Sequence, residues 1–151
     1  TEAMHVLRAE KGYIIVGQET DGSVTPVDLD MNWIVSKKKY DFIGKRALIR
    51  SDTAKEDRKQ LVGILTVDPS IVLEEGSQLV EVETSLPMPM VGHITSSYYS
   101  PNLGRSIALA LVKSGTKKKG VKLIVPTVNS SVEVEITNPV FIDPENERLM
   151  A

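Results

Sequence analysis

From Lys59 to the C-terminus the chain is a succession of short β-branched runs, and this succession constrains the fold more than any other feature. Leu61 to Val67, Gln78 to Val82, Val91 to Ser97, Ile107 to Val112, Val121 to Val125, Val132 to Ile136 and Val140 to Ile142 each read as one strand. Turn residues separate them: Asp68-Pro69, Glu75-Gly76, Pro87 with Pro89, Ser100-Pro101-Asn102, Ser114-Gly115 and Asn129-Ser130. Short strands at this spacing predict a closed or nearly closed antiparallel barrel. Val132-Glu133-Val134-Glu135-Ile136 alternates, so one face of that strand meets water. Ile107 to Val112 is apolar throughout, which suits a buried strand or a helix segment and is read as strand. Lys117 to Lys119, before Gly120, read as an exposed hairpin tip.

The first fifty residues follow a different pattern. Thr1 is a candidate N-cap, Glu2 places a negative charge in a first helical turn, and Ala3, Met4 and Leu7 recur at helical spacing. Thr1 to Lys11 is therefore read as an amphipathic helix, stopped at Gly12 by a left-handed cap. Tyr13 to Val16 suits a buried strand, Gly17 ends it, and Asp21-Gly22 signals a turn. Thr25-Pro26 is an extended entry to a strand over Met31 to Val35, centred on Trp33. Ser36 to Lys39 is read as a solvated turn, and Asp41 as the cap of a helix from Ile43 to Ile49 with Ala47 and Leu48 inward. Ser51 to Arg58 is polar and without apolar period, the candidate linker. No internal repeat or low-complexity tract occurs.

Composition bounds the function more by exclusion. At 151 residues, 41% hydrophobic and 25% charged, the chain can build a sizeable core as one domain or as a small lobe plus a domain. A formal charge of -2 gives no electrostatic reason to expect nucleic acid or a membrane surface. No run approaches a membrane-spanning length, and no signal-peptide pattern opens the chain. With no cysteine there is no disulfide, thiolate ligand or thiol nucleophile, which is compatible with the expected cytoplasmic location. The chain opens at Thr1 without an initiator methionine, so a piece of a longer gene product is expected.

The chemistry-bearing residues are few. His5 and His93 have no partner at ligand spacing, so both are read as structural imidazoles and no metal site is expected. Thr95, Ser96 and Ser97 lack the strained elbow of a catalytic serine and are read in part as outward strand hydroxyls. The glycines never form Gly-x-Gly-x-x-Gly, so no dinucleotide fold is encoded. Asp28 and Asp30 form a close acidic pair, for which turn and cap roles outweigh acid-base work. Arg8 and Glu10, two residues apart, do not share a helix face and are not expected to pair with each other. Glu10 lies where the helix dipole disfavours its charge, so a compensating donor is expected: a ligand edge with two donors, or an arginine fork. The plainer alternative is that both residues belong to ordinary surface ion pairs.

Several runs, taken in order, carry a family resemblance. Leu7-Arg8-Ala9-Glu10-Lys11-Gly12-Tyr13, Gly17-Gln18-Glu19-Thr20-Asp21, Thr25-Pro26, Trp33 and Asp41-Phe42-Ile43-Gly44-Lys45-Arg46-Ala47-Leu48 resemble the aminomethyltransferase (glycine-cleavage T-protein) family. Arg58-Lys59-Gln60-Leu61-Val62-Gly63-Ile64-Leu65, Gly92-His93-Ile94-Thr95-Ser96-Ser97-Tyr98 and Leu103-Gly104-Arg105-Ser106-Ile107-Ala108-Leu109-Ala110-Leu111-Val112 resemble the C-terminal end of the alpha subunits of heterotetrameric sarcosine oxidases. The resemblance implies an α+β, mainly β fold: the end of a ferredoxin-like folate-binding lobe over 1–50, a linker over 51–58 and an antiparallel Greek-key-type β-barrel over 59–151.

It implies tetrahydrofolate as cofactor, with Glu10 holding the pterin, Arg8 orienting that glutamate or reaching the folate, and Tyr13 and Trp33 lining the channel. The loop residues Asp30 and Met31 depart from the small residues the family often carries there. The family's catalytic acid and the parent's flavin and NAD sites lie outside this chain, so catalysis by the chain alone is not expected. Implied partners are upstream lobes of the same polypeptide and the other sarcosine oxidase subunits. Two alternatives stay open: an aminomethyltransferase of the glycine cleavage system, and a non-catalytic subunit-assembly module.

Overall fold

The computed structural model describes residues 1–128 and 130–151. Helix α1 (Glu2–Glu10) is followed by a long irregular segment and then by six strands: β1 (Lys59–Thr66), β2 (Gln78–Leu79), β3 (Gly92–Ser100), β4 (Arg105–Lys113), β5 (Lys122–Pro126) and β6 (Ser131–Thr137). A last helical turn, α2, covers Glu147–Met150. All strand pairs are antiparallel, in the order β2-β3-β4-β1-β6-β5. The β2-β3-β4 meander ends with β4 beside β1, which is a Greek-key connection.

The mainly β, α+β class agrees with the sequence reading, but the sheet is not a closed barrel. Its two edges meet at one antiparallel bridge, Val80 with Ile124, where each N–H donates to the other's carbonyl at 2.9 Å. β2 is only two residues long, too short to carry a full closing ladder. Of the seven expected strands, the run Val140 to Ile142 forms none; the N–H groups of Phe141 and Ile142 instead donate to the Glu10 carbonyl at 2.8 and 3.0 Å. Of the expected Asn129-Ser130 turn, Asn129 lies outside the described residues.

The sheet has two apolar faces. Val62 and Ile64 of β1, Ile94 of β3 and Ala108, Ala110 and Val112 of β4 build the core enclosed by the curled sheet, with Leu79, Leu123, Val125, Val134 and Ile136. Leu61 of β1 and Ile107, Leu109 and Leu111 of β4 form a second cluster with Ala9 and Leu29 from the N-terminal segment. β4 reads as continuously apolar because both of its faces are covered.

The N-terminal segment is less regular than its sequence suggests. Thr1 makes no side-chain cap, and Gly12 takes the left-handed conformation (φ 67°) that ends α1. Ala3, Met4 and Leu7 face outward; α1 docks through Ala9, Glu10 and Arg8 instead. Tyr13 to Val16 contributes only an isolated bridge, Val16 with Thr20. In place of the expected strand around Trp33 stands a 3-10 turn, Asn32–Ile34. The expected helix is a 3-10 run, Lys45–Ile49, with Gly44 at its start and Ala47 exposed. Among the described residues none of these segments pairs with a strand of the sheet, although Ile14 and Met31 pack against its outer apolar cluster, so local β propensity goes unused.

Candidate functional site

One irregularity in β3 organises the polar side of the molecule. Against β4, the register shifts by one residue between Ile94 and Ser96. His93 is paired with Leu111, whereas Ser96, Tyr98 and Ser100 are paired with Leu109, Ile107 and Arg105. Odd and even residues of a regular strand point to opposite faces; the bulge at Thr95 cancels that difference. His93, Ser96, Tyr98 and Ser100 therefore share the face that carries the Leu61, Leu109 and Leu111 cluster, which packs on the N-terminal segment.

Each of these residues meets a different part of that segment. At one end, the Glu10 carboxylate is buried and accepts the Ser100 hydroxyl on Oε1 at 2.5 Å. Asn102 Nδ2 bridges both oxygens, at 3.2 Å from Oε1 and 2.9 Å from Oε2. Ser100 Oγ in turn accepts the Leu103 N–H at 3.1 Å. These donors answer the unfavourable position of Glu10 at the end of α1.

In the middle, Glu19 has no solvent exposure, and its Oε2 accepts Arg8 Nη1 at 2.9 Å and the Ile15 N–H at 2.8 Å. Its Oε1 accepts the hydroxyls of Thr95, at 3.0 Å, and of Ser96. Arg8 Nη2 also donates to Gln18 Oε1 at 2.9 Å and Ser96 Oγ at 2.6 Å, and the guanidinium lies 5.7 Å from the centre of the Tyr98 ring. Arg8 and Glu10 are not each other's partners, as their spacing predicted; Arg8 orients Glu19 rather than Glu10. The serine and threonine hydroxyls read in part as outward are buried and bonded.

A second ion pair, Asp28 with Arg58, pins the loop before Trp33. Asp28 Oδ2 accepts the Thr25 N–H and hydroxyl, both at 2.8 Å, and Arg58 Nη2 at 2.7 Å, while Arg58 Nε donates to Oδ1 at 2.9 Å. Burial pushes the Asp28 carboxyl up, but the Arg58 and Thr25 bonds together outweigh it and hold the group below the ordinary carboxylate value. The Leu61 N–H donates to the Asp28 carbonyl at 2.7 Å, which fastens this loop to β1. The turn-and-cap reading of Asp28 holds; Asp30 is exposed, with φ 58°.

The structure brings Arg8 and Glu10 onto β3 but leaves the two expected channel aromatics outside the buried network. The Tyr13 ring is half exposed and Trp33 is 79% exposed. Glu19, Ser96, Ser100 and Asn102 carry as much of the site as the expected residues do. Asn102 was legible only as part of a turn, and the hydroxyls needed the bulge to reveal their face. Among the described residues no group of three or more acidic or imidazole side chains is placed to hold a metal ion.

Residues 59–143 match the model of the glycine cleavage T-protein C-terminal barrel domain, and residues 1–39 match that of the GCVT N-terminal domain. The chain belongs to the glycine cleavage T-protein family.

Within it, the chain is similar to the sarcosine oxidase subunit alpha of Corynebacterium sp. (strain P-1), at 53% identity over 98% of this chain, and to that of Rhizobium meliloti (strain 1021), at 39%. It spans 16% and 15% of the length of these two relatives. The aminomethyltransferase of Thermotoga neapolitana is 34% identical over 92% of this chain and 36% of its own. The crystal structure of the glycine cleavage system aminomethyltransferase T from Bartonella henselae shares the fold, with a TM-score of 0.79 and 22% identity over 93% of this chain and 38% of that one.

Proposed function

We propose that this chain is the tetrahydrofolate-facing C-terminal region of a sarcosine oxidase alpha subunit. The parent enzyme demethylates sarcosine oxidatively to glycine and passes the one-carbon unit to tetrahydrofolate as 5,10-methylene-tetrahydrofolate. A flavin held elsewhere in the parent supplies the oxidation. This chain binds and orients the folate and keeps water from the reactive one-carbon unit. Residues 1–50 complete a folate-binding lobe, 51–58 connect, and 59–151 form the C-terminal domain. The partners are the upstream lobes and the other subunits of the oxidase.

The observation that carries the folate reading is the donor set on Glu10. Asn102 Nδ2 spans both carboxylate oxygens, and Asn102 is itself exposed. A pterin edge offers an amino group and a ring N–H as paired donors, and these can take the place of the Asn102 amide. Ser100 stays behind to fix the carboxylate from the sheet side. Arg8 acts at one remove, through Glu19, and Tyr13 and Trp33 present exposed rings to the missing wall of the channel. Met4, Leu7, Ile34, Ile43 and Ile49 are also exposed, an apolar surface of the kind an adjoining lobe covers.

The test is Glu10→Ala in the full-length parent. Folate binding weakens while amine oxidation by the flavin stays nearly intact; equal loss of both would make Glu10 structural. An aminomethyltransferase parent is the second reading, favoured by the Thermotoga similarity and the T-protein family models. A lipoyl-carrier pull-down with the full-length protein separates the two.

A further inference from the structure

At the far end of β3 from Glu10, a cavity of about 190 Å³ opens between the Asp21-Gly22 loop and the sheet. Asp21, Ser23, Arg58, Lys59 and His93 line it, with Leu111 at its apolar wall. Most of these groups already have partners. Arg58 gives its Nε and Nη2 donors to Asp28 and Ser23 and its Nη1 to the Asp52 carbonyl. Asp21 Oδ1 accepts the N–H and the hydroxyl of Ser23, inside its own turn.

Lys59 is the exception. Among the described residues no carboxylate lies within ion-pair distance of it. Its Nζ sits 3.3 Å from His93 Nδ1. An ammonium can only donate, so Nδ1 is the acceptor, and the neutral ring carries its proton on Nε2. That leaves two Nζ–H donors and one Nε2–H donor without an acceptor among the described residues, around an ammonium whose one lining carboxylate, Asp21, is beyond ion-pair distance.

We infer that this cavity binds a carboxylate group, held by the Lys59 ammonium and the His93 ring. Its size sets the class. Pockets for whole drug-sized ligands run to about 300–1,000 Å³, so this one takes a small group rather than a heterocycle. Its charge selects a monoanion: one free ammonium attracts, while Asp21 at the rim repels a second negative charge. The site is separate from the folate anchor, because His93 and Ser100 are seven residues apart on one strand, about 23 Å at the usual rise, with the Arg8 and Glu19 pair filling the face between them.

Occupancy is coupled to protonation. Burial, and then the Lys59 charge, hold His93 below its ordinary value, while Asp21 pulls the other way. A carboxylate beside Lys59 offsets the second of these, so binding raises the affinity of His93 for a proton, and protonation raises the affinity for the carboxylate. Arg58 also lines the cavity but is neutralised by Asp28.

Acetate titration of the chain, followed by the carbon-bound ring protons of its histidines, tests the site. Only two histidines exist, and His5, packed edge-on to Tyr98 at 6.3 Å, is the internal reference. Acetate shifts His93 saturably and leaves His5 unmoved, and it binds more tightly when His93 is protonated than when it is neutral. Lys59→Gln weakens binding by about tenfold or more, the worth of one charge-assisted hydrogen bond, and Lys59→Arg retains it. No saturable shift at His93, equal binding by Lys59→Gln, or tighter binding of inorganic phosphate than of acetate would each overturn the assignment.

Discussion

Ser100 donates to the Glu10 carboxylate at 2.5 Å across ninety residues of chain, joining the last residue of α1 to the last residue of β3. The bond ties the N-terminal segment to the sheet at the point where the folate anchor is proposed. Removing it leaves a buried carboxylate oxygen short of a donor. Ser100→Ala is expected to lower stability by about 1–3 kcal/mol, read as a shift in the urea midpoint at unchanged slope. No shift would mean that water or Asn102 fully replaces the hydroxyl.

Asn102→Asp tests the same carboxylate electrostatically. It sets a second negative charge against Glu10, which raises the pKa of the pair in the folded state. A raised carboxyl pKa contributes stability at low pH and loses it as pH rises. The variant is therefore expected to be weakest relative to the parent chain near pH 7 and to recover towards about pH 4. A constant difference across that range would remove the electrostatic account.

Arg8 and Glu19 are both shielded from solvent, so breaking their pair strands a buried charge. Arg8→Met or Glu19→Gln is expected to cost about 3–5 kcal/mol. Arg8→Met and Glu19→Gln together should cost less than the sum, because neither charge is then left alone. A double-mutant cycle in urea checks this, and additive losses would show that the pair is not coupled.

Asp28 predicts an acid limb. Its carboxyl is held below the ordinary value, so it contributes stability above about pH 4 that is lost as pH falls through the lower folded value. Asp28→Asn, which breaks a largely buried pair, should cost about 3 kcal/mol at neutral pH and flatten the stability profile below about pH 4. Thermal melts across the acid range would reveal an unchanged limb if other carboxylates dominate it.

Gly63 has no room for a side chain. A Cβ there would collide with the Asn138 carbonyl and lie 2.9 Å from the Phe141 ring. Gly63→Ala should cost about 3 kcal/mol and loosen the 138–142 segment that holds the Glu10 carbonyl. Gly22→Ala, with nothing within 4 Å of its Cβ, should change stability by less than about 0.5 kcal/mol. Paired melts of the two variants compare the effects directly, and similar small losses would show that the close approach at Gly63 relaxes.

The sequence by itself determined the six strands of the sheet and the helix around Arg8 and Glu10, while the equally β-branched Val140 to Ile142 forms no strand. Those signals are local: β-branched runs bounded by Gly, Pro and Asn, and a 3.6-residue period ending at Gly12. Ordered motifs sufficed to place the chain in its family. Tertiary structure decided the rest. Trp33 and Ala47 lie in exposed 3-10 turns, and among the described residues no strand pairs with them. The bulge at Thr95 depends on pairing with β4 and is silent in the sequence, yet it brings His93, Ser96 and Ser100 onto one face. Partners such as Arg8 with Glu19, or Glu10 with Asn102, are chosen by the fold, because a buried charge takes whichever donors the packed elements deliver.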